Sequence, residues 1–197
     1  QEIPAFALFG RRRGVAIPGI GPDKIPAYRA ATRRLGLLGH RRIVLMTSEA
    51  RRLPRPGAPE TAFLEELQVL GIQPSAYHLP DWEETASGFH ACLESLFRIT
   101  APTAMIVDES HFFLAVMQYC GSRGFRIPED VSLISTDYDP RFSWFTPDVA
   151  HIRWSQEAQV NRVDRWLANV SRGKEDLRQT FTKAEFVEGG TIGPVNR

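Results

Sequence analysis

Apolar residues along the chain recur at helical spacing in several segments, and short apolar runs separate these segments. Residues 28–38, for example, carry Ala and Leu at this spacing, end at Gly39 and lead into the apolar run 42–47. The pattern predicts helices at 28–38, 60–70, 83–97, 110–123 and 155–170, and strands at 3–9, 42–47, 75–79, 104–107, 131–136, 149–152 and 181–187. Because crossover helices return the chain to the same edge of a sheet, this alternation predicts a doubly wound α/β fold with a parallel sheet.

Three stretches lack such a period. The glycines and prolines of residues 10–26 predict a loop or crossover, and an aromatic loop is predicted at 138–147. The Gly-rich tail, residues 188–197, is expected to be exposed.

The composition is that of a globular chain long enough to bury a core, with 43% of its 197 residues hydrophobic and 24% charged. The formal net charge of +1 lacks the strong positive field of a chain that grips nucleic acid by itself. Cys92 and Cys120 fall in helix-like apolar patterns, where a cysteine acts as a small buried hydrophobe. A reducing compartment therefore fits best.

No apolar run reaches the roughly 18 residues that a membrane span needs, and nothing near the start resembles a signal peptide. We therefore expect a soluble, cytoplasmic chain. It begins at Gln1 without an initiator Met, directly before a strand-like run, and we expect sequence upstream of it to be missing.

Polar residues just after each strand are the first candidates for a binding site, because ligands bind beyond the carboxyl ends of parallel strands. This rule selects Asp108 and Glu109 after one strand, and Asp137, Tyr138 and Asp139 after the next. Such acids accept hydrogen bonds from hydroxyls, which suits a sugar or another polyol. The alternative is that they cap the next helix or turn, as Asp108 is well placed to do.

Tryptophans are a second group of candidates, since a flat ring stacks on the apolar face of a sugar. Trp82 and Trp154 lie at the boundaries of predicted elements, where a cleft would be, and these two remain candidates. Trp166 lies within a predicted helix beside core positions, and we interpret it as structural.

Enzymatic and metal-binding hypotheses find little support. Gly19-Ile20-Gly21 is followed by Pro22 and lacks the strand-turn-helix context of a phosphate loop, and no nucleophile motif is present. Glu109 and His111 would point to different faces of a helix, so we expect no metal there. We expect no catalytic residue and no cofactor. The basic clusters Arg11–Arg13 and 51–55 are interpreted as solvated surface.

Three segments, residues 39–45, 102–107 and 124–134, resemble motifs of the lactose/galactose-repressor (LacI/GalR) family of bacterial transcription regulators. Residues 39–45 are close to its Gly-His-Arg-Arg-Ile-Ala-Leu segment, and residues 102–107 resemble the strand before its effector-contacting loop. Residues 124–134 match its Gly-x-x-x-Pro-x-Asp-Val-Ser-Leu signature, which is the most specific of the three. Their order and spacing also agree, and the similarity runs from about residue 3 to residue 193.

The resemblance implies a sensor of the type I periplasmic-binding-protein-like fold, with effector held between two α/β lobes. It implies the following division: residues 1–22 are a remnant of the N-terminal lobe, 23–152 the C-terminal lobe, 153–181 a segment that returns to the N-terminal lobe, and 182–197 the final strand and tail. The implied partners are a small-molecule effector such as a sugar, a second copy of the chain in a homodimer, and operator DNA through a DNA-binding head that this chain lacks. No membrane partner is implied.

The family's binding residues carry over only in part. Its sugar-binding Asp corresponds to Asp137 and its cleft Trp to Trp82, whereas Tyr138 replaces a common second Asp and Glu109 lies where the family has Asn. The arginine that most often grips sugar hydroxyls corresponds to a proline, so either Arg55 or Arg153 would have to substitute for it. With Trp154, these residues form the predicted site.

Two other functions remain open from the sequence. One is a periplasmic-type solute-binding protein, and the other is a small α/β hydrolase or glycosidase that uses Asp137 and Glu109 as its carboxylate pair. The sequence upstream of Gln1 would discriminate between them, because a helix-turn-helix, a secretion signal and a catalytic domain each favour a different function.

Overall fold

The computed structural model describes residues 3–8, 16–48, 51–53 and 55–196. Its α-helices are α1 (Ile25–Leu37), α2 (Ala58–Val69), α3 (Ala86–Ile99), α4 (Ser110–Ser122) and α5 (Gln156–Val170). Its strands are β1 (Ala7–Leu8), β2 (Gly19–Asp23), β3 (Ile43–Met46), β4 (Ala104–Val107), β5 (Ser132–Ser135), β6 (Ala150–Trp154) and β7 (Gln179–Val187). Phe9, the last residue of the predicted strand 3–9, and the predicted basic cluster Arg11–Arg13 lie outside the described residues.

The chain divides into two units. Unit 1 comprises Gln1–Lys24 and Trp154–Glu185, and unit 2 comprises Ile25–Arg153 and Phe186–Arg197. Unit 1 therefore contains β1, β2 and α5, and unit 2 contains α1 to α4 with β3, β4 and β5.

The predicted helices form because their apolar residues share one face. In α1, Tyr28, Ala31 and Leu35 recur at helical spacing and all three are fully buried. The helix is followed by Gly39, whose φ of +93° is a conformation that an L side chain rarely adopts. None of the helices in the described part of the chain is long and apolar enough to cross a membrane.

The sheet of unit 2 is parallel, as the alternation of elements predicts. Ile43 of β3 pairs with Ala104 of β4, which pairs in turn with Ser132 of β5, and Ile134 of β5 pairs with Ala150 of β6. Every residue of β3, β4 and β5 is buried. Strands buried on both faces require nearly continuous apolar runs, which explains the short apolar segments in the sequence.

The predicted strand at 75–79 is wrong. Its centre forms a 3-10 helix at Ala76–His78, and His78 Nδ1 lies 2.7 Å from the carbonyl oxygen of Ile43 in β3. Pro74 and Pro80 flank this segment and lack the backbone N–H that a strand needs for its ladder. Beside β3, the contact of the His78 side chain with Ile43 therefore replaces the backbone pairing of the predicted strand.

The predicted loop at 10–26 is also partly wrong, because β2 lies within it. In unit 1, Gly19 of β2 pairs in parallel with Ala7 of β1 on one side and with Gln179 of β7 on the other. A Cβ atom on Gly19 would lie 2.9 Å from the carbonyl oxygen of Ala7. Glycine here permits a close approach between strands, so it does not mark a break. Trp166 of α5, interpreted as structural, is buried with its ring centroid 5.0 Å from that of Phe6.

The prediction of an exposed tail is wrong at Thr191, which is fully buried. Its hydroxyl donates to the Leu133 carbonyl at 2.7 Å and accepts from the Ala150 N–H at 2.9 Å. The tail is held further along by the Val195 N–H, which donates to the Leu38 carbonyl at 3.0 Å. The tail thus bonds to β5, to the start of β6 and to the residue that follows α1, and its glycines Gly189, Gly190 and Gly193 pack closely against neighbouring residues.

Candidate ligand-binding site

Polar side chains follow three neighbouring strands of unit 2 where the strands end. Ser48 comes shortly after β3, Asp108 directly follows β4 and Thr136 directly follows β5. The backbone pairing continues past the strands, since the Asp108 N–H donates to the Met46 carbonyl at 2.7 Å and the Thr136 N–H to the Val107 carbonyl at 2.9 Å. The three side chains therefore share the carboxyl edge of the sheet, where open α/β sheets bind ligands.

Asp108 is the centre of this strand-end cluster, which we define as Ser48, Arg51, Asp108 and Thr136. Its carboxylate is fully buried and accepts hydrogen bonds from the Ser48 hydroxyl at 3.0 Å and from the Thr136 hydroxyl at 2.8 Å. The Arg51 Nε lies 2.8 Å from the same carboxylate. A buried charge needs such partners, so Asp108 anchors the cluster. The interpretation of Asp108 as a helix cap is wrong, because Glu109 occupies the N-cap position of α4.

Arg51 connects the anchor to the surface. Burial disfavours its charge, but the carboxylate of Asp108 raises the pKa of its guanidinium. The charges of Asp137 and Glu109 raise the pKa of Arg51 in the same direction. The interpretation of Arg51 as part of a solvated basic surface is therefore wrong.

Glu109 has an unusual backbone conformation at the start of α4. Its φ is 58° and its ψ is 139°, a region that a residue with a Cβ enters at a cost of about 1–3 kcal/mol. Its Oε2 lies 3.5 Å from His111 Nδ1, so the expectation that these two side chains point to different faces is wrong. Within the described residues, no group of three or more His, Cys, Asp or Glu side chains could hold a metal ion.

Tyr28 of α1 brings a phenol to the cluster from a second direction. The side chain is fully buried, and its hydroxyl makes no hydrogen bond of good geometry with the described part of the chain. Burial, with the negative charge of Asp108, raises the pKa of Tyr28 well above its ordinary value, and the Thr136 hydroxyl lies near the phenol. A polar group in this position lacks the partner that buried hydroxyls normally have.

The three predicted residues that come after β5, residues 137–139, have different surroundings. Asp137 follows Thr136, and its backbone carbonyl accepts from the Ser135 hydroxyl at 2.8 Å. Tyr138 is 45% exposed, and its ring centroid lies 5.1 Å from that of His151. Asp139 caps a 3-10 helix at Pro140–Trp144, and its bond with the Arg141 side chain lowers the pKa of Asp139 to about 2. Asp139 is thus a turn cap, as the alternative interpretation proposed.

Trp82 lies in an aromatic group between α3 and α4. It is half-buried, and its ring centroid lies 5.0 Å from that of Phe89 and 5.1 Å from that of Phe112, both edge to face. A surface pocket of about 390 Å³ beside this group is lined by Phe89 and Phe112 together with His90 and His111. The contacts of Trp82 are those of a ring packed at the margin of the core.

Arg55 belongs to a second ionic cluster. Its Nη1 lies 3.4 Å from Asp81, and the same carboxylate oxygen lies 2.6 Å from Nη1 of the buried Arg52. Arg52 also pairs with the buried Glu60 at 2.7 Å. Arg52 is therefore part of the protein interior, contrary to the interpretation of this basic segment as solvated surface.

The two remaining predicted residues lie at the end of β6. Arg153 is an exposed residue of unit 2, and Trp154 is the next residue, in unit 1. Within unit 1, the Lys24 Nζ lies 4.3 Å from the centroid of the Trp154 ring. The buried Trp154 Nε1 finds no hydrogen-bond acceptor among the described residues.

The periplasmic binding protein-like domain family matches residues 32–192. This chain belongs to that family. The match and the relatives below confirm the resemblance suggested by the sequence motifs.

Two curated relatives of this periplasmic-binding-protein-like chain are regulators with a helix-turn-helix. An HTH-type transcriptional regulator in the aml 5′ region of Streptomyces limosus is 26% identical over 190 residues, which are 95% of this chain and 52% of that protein. The HTH-type transcriptional repressor PurR of Edwardsiella ictaluri is 26% identical over 195 residues, or 98% of this chain and 57% of that protein. The chain thus spans about half the length of these relatives.

Among solved structures, a LacI family transcriptional regulator from Enterococcus faecium with bound ribose superposes with a TM-score of 0.82. It shares 18% sequence identity, and the match covers 98% of this chain and 72% of that one. The similarity establishes that the two chains share their fold.

Sequence reasoning identified part of the strand-end cluster in this domain and missed the rest. The rule for strand ends selected Asp108, and the same rule applied after β3 would have selected Ser48. Arg51 and Tyr28 carried no comparable signal, because each reaches Asp108 only through the tertiary packing of the domain.

Proposed function

We propose that this domain is the effector-sensing part of a LacI-type transcription regulator, and that its effector is a small hydroxyl-bearing molecule bound at the strand ends of unit 2. The observation that carries the proposal is the strand-end cluster around Asp108, in which Arg51 lies 2.8 Å from the buried carboxylate and is also acted on by the charges of Asp137 and Glu109. The relatives with a helix-turn-helix support the regulatory part of it.

The chemistry of this face suits a polyol. Each ligand hydroxyl can donate to a carboxylate of Asp137 or Glu109 and accept from a donor such as Arg51. Carboxylates bond strongly to such donors, because charge-assisted hydrogen bonds are about twice as strong as neutral ones. The ribose bound to the Enterococcus faecium regulator belongs to this ligand class.

In the proposed regulator, residues 23–152 act as the C-terminal lobe, residues 1–22 and 153–181 belong to the N-terminal lobe, and residues 182–197 provide the last strand and tail. Effector binding stabilises one conformation over another, and a homodimer in the cytoplasm transmits this shift to DNA-binding heads outside this chain. The domain itself binds its effector without turnover.

A binding screen tests the proposal. The chain is titrated by calorimetry with neutral monosaccharides, disaccharides and sugar alcohols, beginning with ribose, and each ligand is recovered and checked for chemical change. We expect at least one to bind and to be recovered intact. Asp137→Asn should weaken its binding by about tenfold to a hundredfold, since hydrogen bonds to charged groups contribute about 1.5–3 kcal/mol.

Trp144→Ala is the matched control, because this side chain is 89% exposed and its loss should leave affinity unchanged. If no carbohydrate binds, or if Asp137→Asn binds as tightly as the wild type, the proposed site is wrong. Conversion of the ligand by the wild type, and not by Asp137→Asn, would instead establish an enzyme.

A further inference from the structure

Arg51 combines an anchored end with an exposed end. Its Nε is held 2.8 Å from the fully buried Asp108, while 36% of the side chain remains exposed. A guanidinium has five N–H donors in a rigid fork, so fixing it through Nε also fixes the direction of the others. An arginine held in this way binds a ligand hydroxyl with little loss of side-chain entropy.

The charge of Arg51 is balanced within the protein. Asp108 supplies a full negative charge at contact distance, and Asp137 and Glu109 add further negative charge near the guanidinium. An anion that approaches Arg51 from the surface would meet these acids and gain little from a cation that is already paired. A neutral hydroxyl compound avoids this repulsion and can use both donors and acceptors.

The hydroxyl of Tyr28 is a second, independent sign of a ligand. It is fully buried beside Asp108, and although the Thr136 hydroxyl lies near it, it makes no hydrogen bond of good geometry with the described residues. Buried hydroxyls that lack a protein partner are normally satisfied by water or by a ligand. Its position at the strand-end cluster makes it available to a polar group bound there.

We propose that Arg51, oriented by Asp108, is the arginine that grips the effector's hydroxyls in this domain, and that the subsite it forms with Tyr28 selects uncharged polyols over anions. The inference rests on the proposed function and deepens it. It assigns to Arg51 the role for which the sequence suggested Arg55 or Arg153. Arg55 instead shares Asp81 with Arg52, in the second ionic cluster.

The decisive comparison uses a single and a double variant. Arg51→Gln leaves Asp108 charged and without its cation, so it should both destabilise the domain and weaken binding. Adding Asp108→Asn removes the buried charge and should restore the thermal midpoint. If Arg51 contacts the ligand, the double variant regains stability but still binds the carbohydrate from the screen about tenfold to a hundredfold more weakly than the wild type.

Tyr28→Phe removes only a hydroxyl that makes no hydrogen bond of good geometry with the described residues. We expect its thermal midpoint to be equal to or higher than that of the wild type, while its affinity falls about twofold to tenfold. Arg126→Gln is the matched control, because it breaks an exposed arginine–aspartate pair with Asp130 at 3.0 Å and should leave affinity unchanged. Arg55→Gln should also bind as the wild type does.

Inorganic phosphate is the anionic probe, and we expect it not to bind to the wild type. Binding of phosphate that Arg51→Gln abolishes would overturn the inference. So would recovery of carbohydrate affinity in the double variant, or a loss of affinity in Arg55→Gln together with none in Arg51→Gln. If no carbohydrate binds to the wild type at all, the proposed function fails and the subsite fails with it.

Discussion

Thr191 allows the attachment of the tail to be tested quantitatively. Its hydroxyl bonds to the Leu133 carbonyl at 2.7 Å and to the Ala150 N–H at 2.9 Å, and all three residues are fully buried. Thr191→Val keeps the shape but leaves the amide and the carbonyl without this partner. An unsatisfied buried group costs about 1–3 kcal/mol, so the free energy of unfolding should fall by about 2–4 kcal/mol. That is a large part of the 5–15 kcal/mol typical of a domain.

Thr182→Val provides a matched comparison in unit 1. Thr182 is also buried, at 6% exposure, but its hydroxyl has no hydrogen-bond partner among the described residues. Replacing an unpaired hydroxyl by a methyl group relieves a desolvation cost, so this variant should be as stable as the wild type or more stable by up to about 1 kcal/mol. The two substitutions are chemically identical and differ only in what the hydroxyl contacts.

The assay is urea unfolding followed by circular dichroism, with hydrogen exchange of the Ala150 amide as a local readout. A shift in midpoint without a change in slope reports stability alone. Thr191→Val should lower the midpoint and speed exchange at Ala150, whereas Thr182→Val should do neither. Equal midpoints for the two variants would refute the conclusion that the tail is bonded to the sheet through Thr191.

Two further predictions concern pH and self-association. Burial lowers the pKa of His40, whose Nε2 lies 2.9 Å from the Gly193 carbonyl oxygen. The unfolded state therefore takes up a proton first as pH falls below about 6.5, and the wild type should lose stability between about pH 7 and pH 5 more steeply than His40→Gln does in urea unfolding. In unit 1, Leu8 and Val160 are 51% and 58% exposed and line a groove of about 430 Å³, so the chain should self-associate. Light scattering should then show a smaller species for Val160→Glu, and a wild type that stays monomeric at high concentration would contradict this.

The hydrophobic pattern predicted most of the fold because most of its elements bury a continuous face. Strand β4, with all four residues buried, was predicted at its observed bounds. The pattern failed where other interactions determine the structure. Strand β2 was missed because its glycine and proline content resembles that of a loop, whereas Gly19 permits a close approach between strands. Tyr77 was misassigned because prolines prevent its segment from extending the ladder.

The candidate site was only partly predictable for a related reason. The position of Asp108 after a strand is visible in the sequence, but the direction in which each neighbouring arginine points depends on tertiary contacts. Arg51, Arg52 and Arg55 have similar sequence surroundings. Only the structure shows that Arg51 contacts Asp108, whereas the other two contact Asp81.

The adjacent residues Arg51 and Arg52 contact different carboxylates, and the contacts of Arg52 hold the site in place. Arg52 pairs with Glu60 at 2.7 Å, and the other carboxylate oxygen of Glu60 accepts from the N–H of Gly57, the N-cap residue of α2, at 2.7 Å. This buried pair fixes the chain after β3 to the first turn of α2. Because Arg51 is the adjacent residue, its backbone is fixed as well, and its side chain is directed to Asp108. The geometry of the proposed subsite is thus set by an ion pair that does not itself belong to the strand-end cluster, as preorganised binding sites require.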